Sequence, residues 1–105
     1  MTMTLAEIKT MVTAVDSSAQ HYDSTKKGPA YTVWREYGYL PMTADQRHQG
    51  GISFQIDRFT RAENDTIAAA FVAALESDDR IAYEYQVDYE PETRYIHHIF
   101  DCEAI

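Results

Sequence analysis

The sequence has little of what covalent cross-linking, membrane insertion or secretion would require. Cys102 is the only cysteine among 105 residues, so an internal disulfide is excluded, which suits a reducing compartment. No apolar run approaches the roughly 20 residues that a membrane-spanning helix needs. The first residues lack a basic segment followed by an apolar one, so we expect no secretory signal peptide.

Positive charge is also scarce, and its scarcity is uneven along the chain. The formal net charge is −8. Residues 1–50 are balanced, whereas residues 51–105 carry twelve acidic against four basic side chains. Such an acidic excess repels a phosphate backbone, which disfavours a conventional DNA-binding role. An acidic surface that only keeps the protein in solution explains the same charge equally well.

Apolar and aromatic side chains, by contrast, are plentiful. Hydrophobic residues make up 45% of the chain and aromatic residues 12%, more than a disordered chain carries. The length predicts a single domain over residues 1–105. Because a domain this short buries a modest share of its surface, association with other copies is a common source of added stability.

Two segments have the apolar spacing of amphipathic helices. Thr4 and Glu7 have the spacing of a capping box, and they precede a helix predicted from about residue 5 to 15. Asn64 or Asp65 can cap a second helix. The predicted buried stripe of that helix consists of Ile67, Phe71, Ala74 and Leu75.

The other regular segments have the alternation and composition of strands. Long strands are predicted at 30–40, 52–60, 81–89 and 94–103, with a short one near 19–22 and a polar loop at 41–51. The order is α-(β)-β-β-α-β-β. It predicts an α+β fold, in which an antiparallel sheet of four to five strands carries both helices on one face. Alternation along the first long strand places five residues on one side: Tyr31, Val33, Arg35, Tyr37 and Tyr39.

No set of residues has the spacing of a catalytic or metal site. His97 and His98 are adjacent, so on a strand they point to opposite faces and cannot jointly hold one ion. We expect one of them to be half-buried and the other exposed. The prediction is therefore a protein that is not an enzyme and has no catalytic, metal-binding or cofactor-binding residues.

Aromatic side chains are the strongest functional signal. Eight Tyr and one Trp are more than a small core readily hides, and these residue types are enriched at protein interfaces. A tyrosine-rich strand face that is simply half exposed is an equally good explanation. The candidate interface residues are Trp34, Tyr37, Tyr39, Arg47 and His48.

Three segments carry a resemblance to known proteins. They are the strand at 31–35 (Tyr-Thr-Val-Trp-Arg), the strand at 51–60 (Gly-Ile-Ser-Phe-Gln-Ile-Asp-Arg-Phe-Thr) and the acidic, tyrosine-rich hairpin at 83–90 and 94–100. In this order, with an acidic-capped helix before the hairpin, the chain resembles small tail-completion or tail-terminator proteins of long-tailed phages and prophages. Residues 41–50 do not match the family pattern.

The resemblance implies a structural protein of the phage tail. Such a protein forms a hexameric ring that caps the growing tail tube, stops its polymerisation and docks onto the head connector. The implied partners are other copies, the tail tube protein and the head–tail connector protein, with DNA only passing through the lumen and no membrane involved. The implied location is the tail or neck of the virion, after assembly in the bacterial cytoplasm. The candidate lumen-facing residues are Glu84, Asp88, Glu90 and Glu92.

Two other classes of function remain open. The charge asymmetry also fits a small acidic inhibitor that mimics DNA and blocks a host nucleic-acid enzyme. A monomer that binds a basic nuclease with salt-sensitive affinity would favour that alternative. An enzyme or ligand-binding module on a similar fold would need a pocket that the sequence does not indicate.

Overall fold

A computed structural model of the chain describes residues 3–23, 25, 27–39 and 50–105. Two helices and five strands follow one another in the predicted order, so the α+β class is confirmed. The elements are α1 (Leu5–Val15), β1 (Gln20–His21), β2 (Ala30–Tyr39), β3 (Ile52–Thr60), α2 (Thr66–Glu76), β4 (Ile81–Glu90) and β5 (Tyr95–Ala104).

Side-chain hydrogen bonds cap the N-terminus of both helices. The Thr4 hydroxyl accepts from the Glu7 amide at 3.1 Å, and the Glu7 carboxylate accepts from the Thr4 amide at 3.0 Å. These two bonds are the predicted capping box. At α2, the Asp65 carboxylate accepts from the Ala68 amide at 2.9 Å, so Asp65 rather than Asn64 is the cap.

The five strands form one sheet in the order β1-β2-β3-β5-β4. The pairs β2–β3, β3–β5 and β4–β5 are antiparallel. The expectation of a purely antiparallel sheet is wrong at one edge, where β1 lies parallel to β2 with His21 beside Trp34. Gln20 lies beside Val33 and His21 beside Trp34, so residue numbers rise in the same direction along both strands, which is parallel pairing.

Both helices contribute to one core on the same side of the sheet, here called the helix side. The strand register places Trp34, Ile56 and Phe100 next to one another across β2, β3 and β5, and all three are buried. The two helices contact each other above them. The helix residues of this core include Ile8, Val12, Phe71 and Leu75.

The buried stripe of α2 differs slightly from the prediction. Phe71 and Leu75 are buried as expected, but Ile67 and Ala74 are only half-buried. Ala68 is buried in their place. A stripe through Ala68, Phe71 and Leu75 has the same helical spacing, so the sequence pattern does not distinguish the two orientations.

An extra residue in β2 changes which side its last residues occupy. The register shifts between Glu36 and Gly38, and Tyr37 is the residue left over. A bulge of this kind reverses the alternation beyond it. Tyr39 pairs with Ile52 and so lies on the helix side, whereas Tyr37 lies on the opposite side, here called the open side. The prediction that the two tyrosines share one side is wrong for this reason.

The open side has an aromatic cluster of its own. Stacked rings lie at centroid distances of 4.7 Å for Tyr31 and Phe59 and 4.1 Å for Phe59 and His97. The Tyr95 ring contacts the rings of Tyr31 and Phe59 edge-on. The Arg61 guanidinium lies over the Tyr95 ring, 4.3 Å from its centroid. Part of the open side is therefore covered without a helix.

Arg58, a buried residue of β3, connects the sheet to one end of each helix. Its guanidinium donates to the Asp65 carboxylate at 2.9 and 3.2 Å and to the Thr32 hydroxyl at 3.2 Å, and it lies 3.5 Å from the Asp16 carboxylate. Asp16 ends α1 and Asp65 begins α2. Burial alone would raise the pKa of both carboxyl groups, but the hydrogen bonds they accept hold each pKa below its usual value.

Replacing Arg58 with Met should strongly destabilise the fold. The change leaves the carboxylates of Asp16 and Asp65 buried without their cation, which costs about 3–5 kcal/mol when one partner of a buried ion pair is lost. Urea unfolding of the wild type and of Arg58→Met measures the difference. The exposed Arg35→Met is the control, and a comparable loss in both variants would contradict the assigned role.

The triple variant Arg58→Met/Asp16→Asn/Asp65→Asn tests the cause. Because it leaves no buried charge and keeps a side chain that can cap α2, it should be more stable than Arg58→Met alone. An equal or lower stability would mean that the stem of Arg58, and not its charge, is what matters.

Candidate functional site

The end of β2 presents two large, exposed aromatic side chains, here called the tyrosine end. Tyr37 is 48% exposed and Tyr39 is 67% exposed. The Tyr37 hydroxyl donates to the Asp101 carboxylate, and this hydrogen bond raises the pKa of Tyr37 to about 12. The Tyr37 side chain thus reaches across β3 to a residue of β5.

Trp34 is not part of this surface. It is 1% exposed, and its ring stacks on that of His21 at 4.1 Å. The prediction that Trp34 lies at an interface is wrong, because its side of β2 is the one that faces the core. The two remaining predicted interface residues, Arg47 and His48, lie outside the described residues.

Carboxylates on the open side form a second surface, here called the acidic row. Glu84 stands directly opposite Asp101 in the β4–β5 register, and like charges in that position weaken strand pairing. The full row consists of Glu84, Asp88 and Glu90 on β4 and Asp101 and Glu103 on β5. It coincides in part with the residues predicted to face a lumen.

The four predicted lumen-facing residues do not all lie together. Glu84 and Asp88 are exposed on the open side. Glu90 is half-buried, with its carboxylate 3.8 Å from the His97 ring. Glu92 lies in the turn between β4 and β5 and not on the strand. Three of the four therefore share one side of β4.

The two adjacent histidines point to opposite sides, as expected. His97 lies on the open side, where its Nε2 is 2.7 Å from the Asp57 carboxylate, and His98 is buried on the helix side. The expectation that one of them is exposed is wrong. His97 is half-buried because it stacks on Phe59 and bonds to Asp57.

A groove of about 500 Å³ lies between the first half of α2 and the middle of β4. His98 lines it, and the Nδ1 atom of this ring is 2.7 Å from the Tyr85 hydroxyl. The Nε2 atom is buried and has no hydrogen-bond partner among the described residues. Burial lowers the pKa of His98, since the charged ring would be poorly solvated there.

The outer edge of β4 is a third surface, which the sequence analysis missed. Tyr85, Val87 and Tyr89 lie on the helix side but are 42%, 57% and 55% exposed. Lengths alone could have shown this. A strand of ten residues is about 33 Å long, whereas a helix of eleven residues is about 16 Å long and cannot cover it.

The described residues offer little else that could bind a metal ion or act as a nucleophile. In the part of the chain that the structure describes, no three His, Cys, Asp or Glu side chains are grouped to hold a metal ion. Cys102 is buried, and burial raises the pKa of its thiol, so it is a poor nucleophile. None of the described helices has the length and apolarity needed to cross a membrane.

Comparison with known proteins finds no matching family model and no matching curated protein. Function must therefore be inferred from the three surfaces: the tyrosine end, the acidic row and the β4 edge. All three are suited to contact with macromolecules, because each is broad and exposed.

The pH dependence of stability should report the burial of His98. Its folded pKa lies below the value of about 6.5 that an unfolded chain gives, so the unfolded chain holds the extra proton more often between the two values. Stability should therefore fall as the pH drops through about 6.5 and stop falling below the folded pKa. One proton contributes at most about 1.4 kcal/mol per pH unit.

Urea unfolding at a series of pH values, for the wild type and His98→Leu, isolates this contribution. The loss of stability between pH 7 and pH 5 should be smaller in His98→Leu than in the wild type. An unchanged slope in His98→Leu would show that this ring does not titrate differently in the folded chain.

Proposed function

We propose that this chain is a structural protein of a bacteriophage tail, a ring subunit that completes the tail tube and joins it to the head connector, with no enzymatic activity. The observation that carries the proposal is the tyrosine end. Two tyrosines at the end of one strand are about half exposed or more in the single chain. Side chains of this kind supply large contact area at low entropic cost, which is why they are frequent in interfaces.

The position of the tyrosine end suits contact between copies of the chain. Tyr37 and Tyr39 lie on opposite sides of β2, immediately before residues 40–49. A neighbouring copy that contacts both tyrosines would bury aromatic surface that is exposed in the single chain. A head-to-tail contact repeated around an axis closes a ring, and we propose the hexamer implied by the family resemblance.

The acidic row supports the second half of the proposal. A ring that lets DNA pass needs an inner wall that does not bind phosphate, and a row of carboxylates repels it. In this arrangement the open side faces the lumen, and the other surfaces meet the tail tube protein and the connector protein. The protein would then reside in the tail or neck of the virion.

Replacing both tyrosines should weaken assembly. In Tyr37→Ser/Tyr39→Ser the exposed rings are lost while the core is untouched, so the oligomer should dissociate at protein concentrations at which the wild type remains assembled. Sedimentation velocity and negative-stain imaging make the measurement. The matched control is Tyr89→Ser, which removes a ring of similar exposure from β4. A wild type that is a monomer at high concentration would rule out the ring.

Reversing the charge of the acidic row should affect DNA passage more than assembly. Glu84→Lys/Asp88→Lys places cations on the open side, where they would hold phosphates and slow ejection, while the tyrosine end is unchanged. The control is Glu63→Lys/Asp79→Lys, which reverses two exposed carboxylates outside the strands that carry the acidic row. The rate of DNA ejection would be compared between phages assembled with each variant. Equal rates would contradict the proposal that the open side faces the lumen.

A second candidate, an acidic inhibitor that mimics DNA, is favoured by one specific observation. Glu84 and Asp101 are paired across two strands although like charges in that position cost stability, as expected if a basic partner later compensates them. A monomer that binds a basic nuclease with affinity falling steeply as salt increases would support this candidate over the ring.

A further inference from the structure

We propose that the outer edge of β4 accepts an extended segment of another protein as an added strand, and that this segment alternates apolar residues with Lys or Arg. β4 is the outermost strand at one edge of the described sheet. The proposal goes beyond the ring function and does not rest on it. It concerns β4, whereas the tyrosine end belongs to β2.

The backbone of β4 has hydrogen-bonding groups directed away from β5. The Arg80 carbonyl accepts from the Ile105 amide at 2.8 Å. This bond shows which residues of β4 are hydrogen-bonded to β5. Bonding alternates along an antiparallel ladder, so the even-numbered residues of β4 face β5. The amides and carbonyls of Tyr85 and Val87 therefore point outward. These are the groups with which an added strand would pair.

The amide of Tyr89 agrees with this assignment. It donates to the carboxylate of Asp88 at 2.9 Å, which an amide bonded to β5 could not readily do. Because of this bond, the Tyr89 amide is less available to pair with an added strand. Pairing with a partner is therefore expected mainly at Tyr85 and Val87.

The side chains of β4 specify the chemistry of the partner. On the helix side the exposed row is apolar: Tyr85, Val87 and Tyr89. On the open side, three of the four positions from 84 to 90 are acidic: Glu84, Asp88 and Glu90. Residues directly opposite on adjacent strands share a side and interact. An added strand would therefore place apolar residues beside the first row and cations beside the second.

A second copy of this chain fits the edge poorly in the two registers centred on the exposed middle of β4. Antiparallel pairing of two β4 strands centred on Gln86 would place Glu84 of one copy opposite Asp88 of the other. Pairing centred on Val87 would place Glu84 opposite Glu90. Like charges in these positions are destabilising, so in both registers the carboxylates disfavour self-association and favour a cationic strand.

The edge is otherwise open to pairing. β4 contains no proline, and its register with β5 runs without a bulge from Ile81 to Glu90. Proline, bulges and short length are three of the usual protections of edge strands, and β4 has none of these three. A cation beside Glu84 would also offset its repulsion by Asp101. The added strand extends the sheet sideways, so Asp101 and Glu103 stay exposed on the open side.

Binding of synthetic peptides to the full chain tests the proposal. The probe is a fluorescent, end-blocked peptide about as long as β4, in which Lys and Val alternate. The controls are a peptide of the same composition with its lysines grouped, and a peptide in which Glu and Val alternate. By fluorescence anisotropy, the alternating Lys/Val peptide should bind roughly tenfold more tightly than the grouped one, and the Glu/Val peptide should not bind.

Variants of β4 separate backbone pairing from charge attraction. Val87→Pro removes an outward amide without affecting the bonds to β5, and should weaken binding roughly tenfold, whereas Val87→Thr keeps the amide and should stay within about twofold. Glu84→Gln/Asp88→Gln should weaken binding by roughly threefold to tenfold and reduce its salt dependence. Circular dichroism verifies that each variant is folded.

Amide exchange of the unmodified chain gives a readout that does not depend on a variant. Bound Lys/Val peptide should slow exchange at Tyr85 and Val87 and leave the even-numbered neighbours unchanged. Equal binding of the alternating and grouped peptides, or no added protection at these amides, would overturn the proposal. Self-association that Val87→Pro abolishes would instead assign the edge to a second copy, and it would overturn the proposal as well.

Discussion

The buried guanidinium of Arg58 is the interaction on which the arrangement of the layers depends. It lies on the helix side of β3 and contacts the residue that ends α1 and the residue that begins α2. Because these contacts fix where α2 begins, they also fix how far along β4 the helix reaches. The exposed row on β4 and the groove beside His98 follow from that position. One ion-pair network thus connects the core to the surfaces proposed to bind partners.

Local signals predicted the elements of this fold well. The capping box at Thr4 and the apolar spacing after it define α1 to the residue, and alternation locates the four long strands to within one or two residues. The parallel pairing of β1 could not be predicted, since two residues carry no pattern. Nor could the network around Arg58, because its three partners are far apart in sequence and meet only through the tertiary fold.

The surfaces were predicted less well than the elements. Tyr37 and Tyr39 are exposed, but Trp34, which is predicted to lie at an interface with them, is buried. Alternation sorts residues of a strand into two sides and does not say which side the helices cover. The same limit applies to the row on β4, whose apolar alternation is typical of a half-buried strand. Its exposure comes from the mismatch between strand and helix lengths, and which end of the strand stays uncovered depends on where Arg58 holds the start of α2.

The bulge at Tyr37 has a geometric consequence for any protein that meets this end of the molecule. Without the bulge, Tyr37 and Tyr39 would stand on one surface of the sheet, and a flat partner could lie across them. With it, one ring lies above the sheet and the other below. A partner that contacts both must wrap around the margin of the sheet, as a clamp does. Such a contact resists rotation and sliding, which a flat contact of the same area would permit.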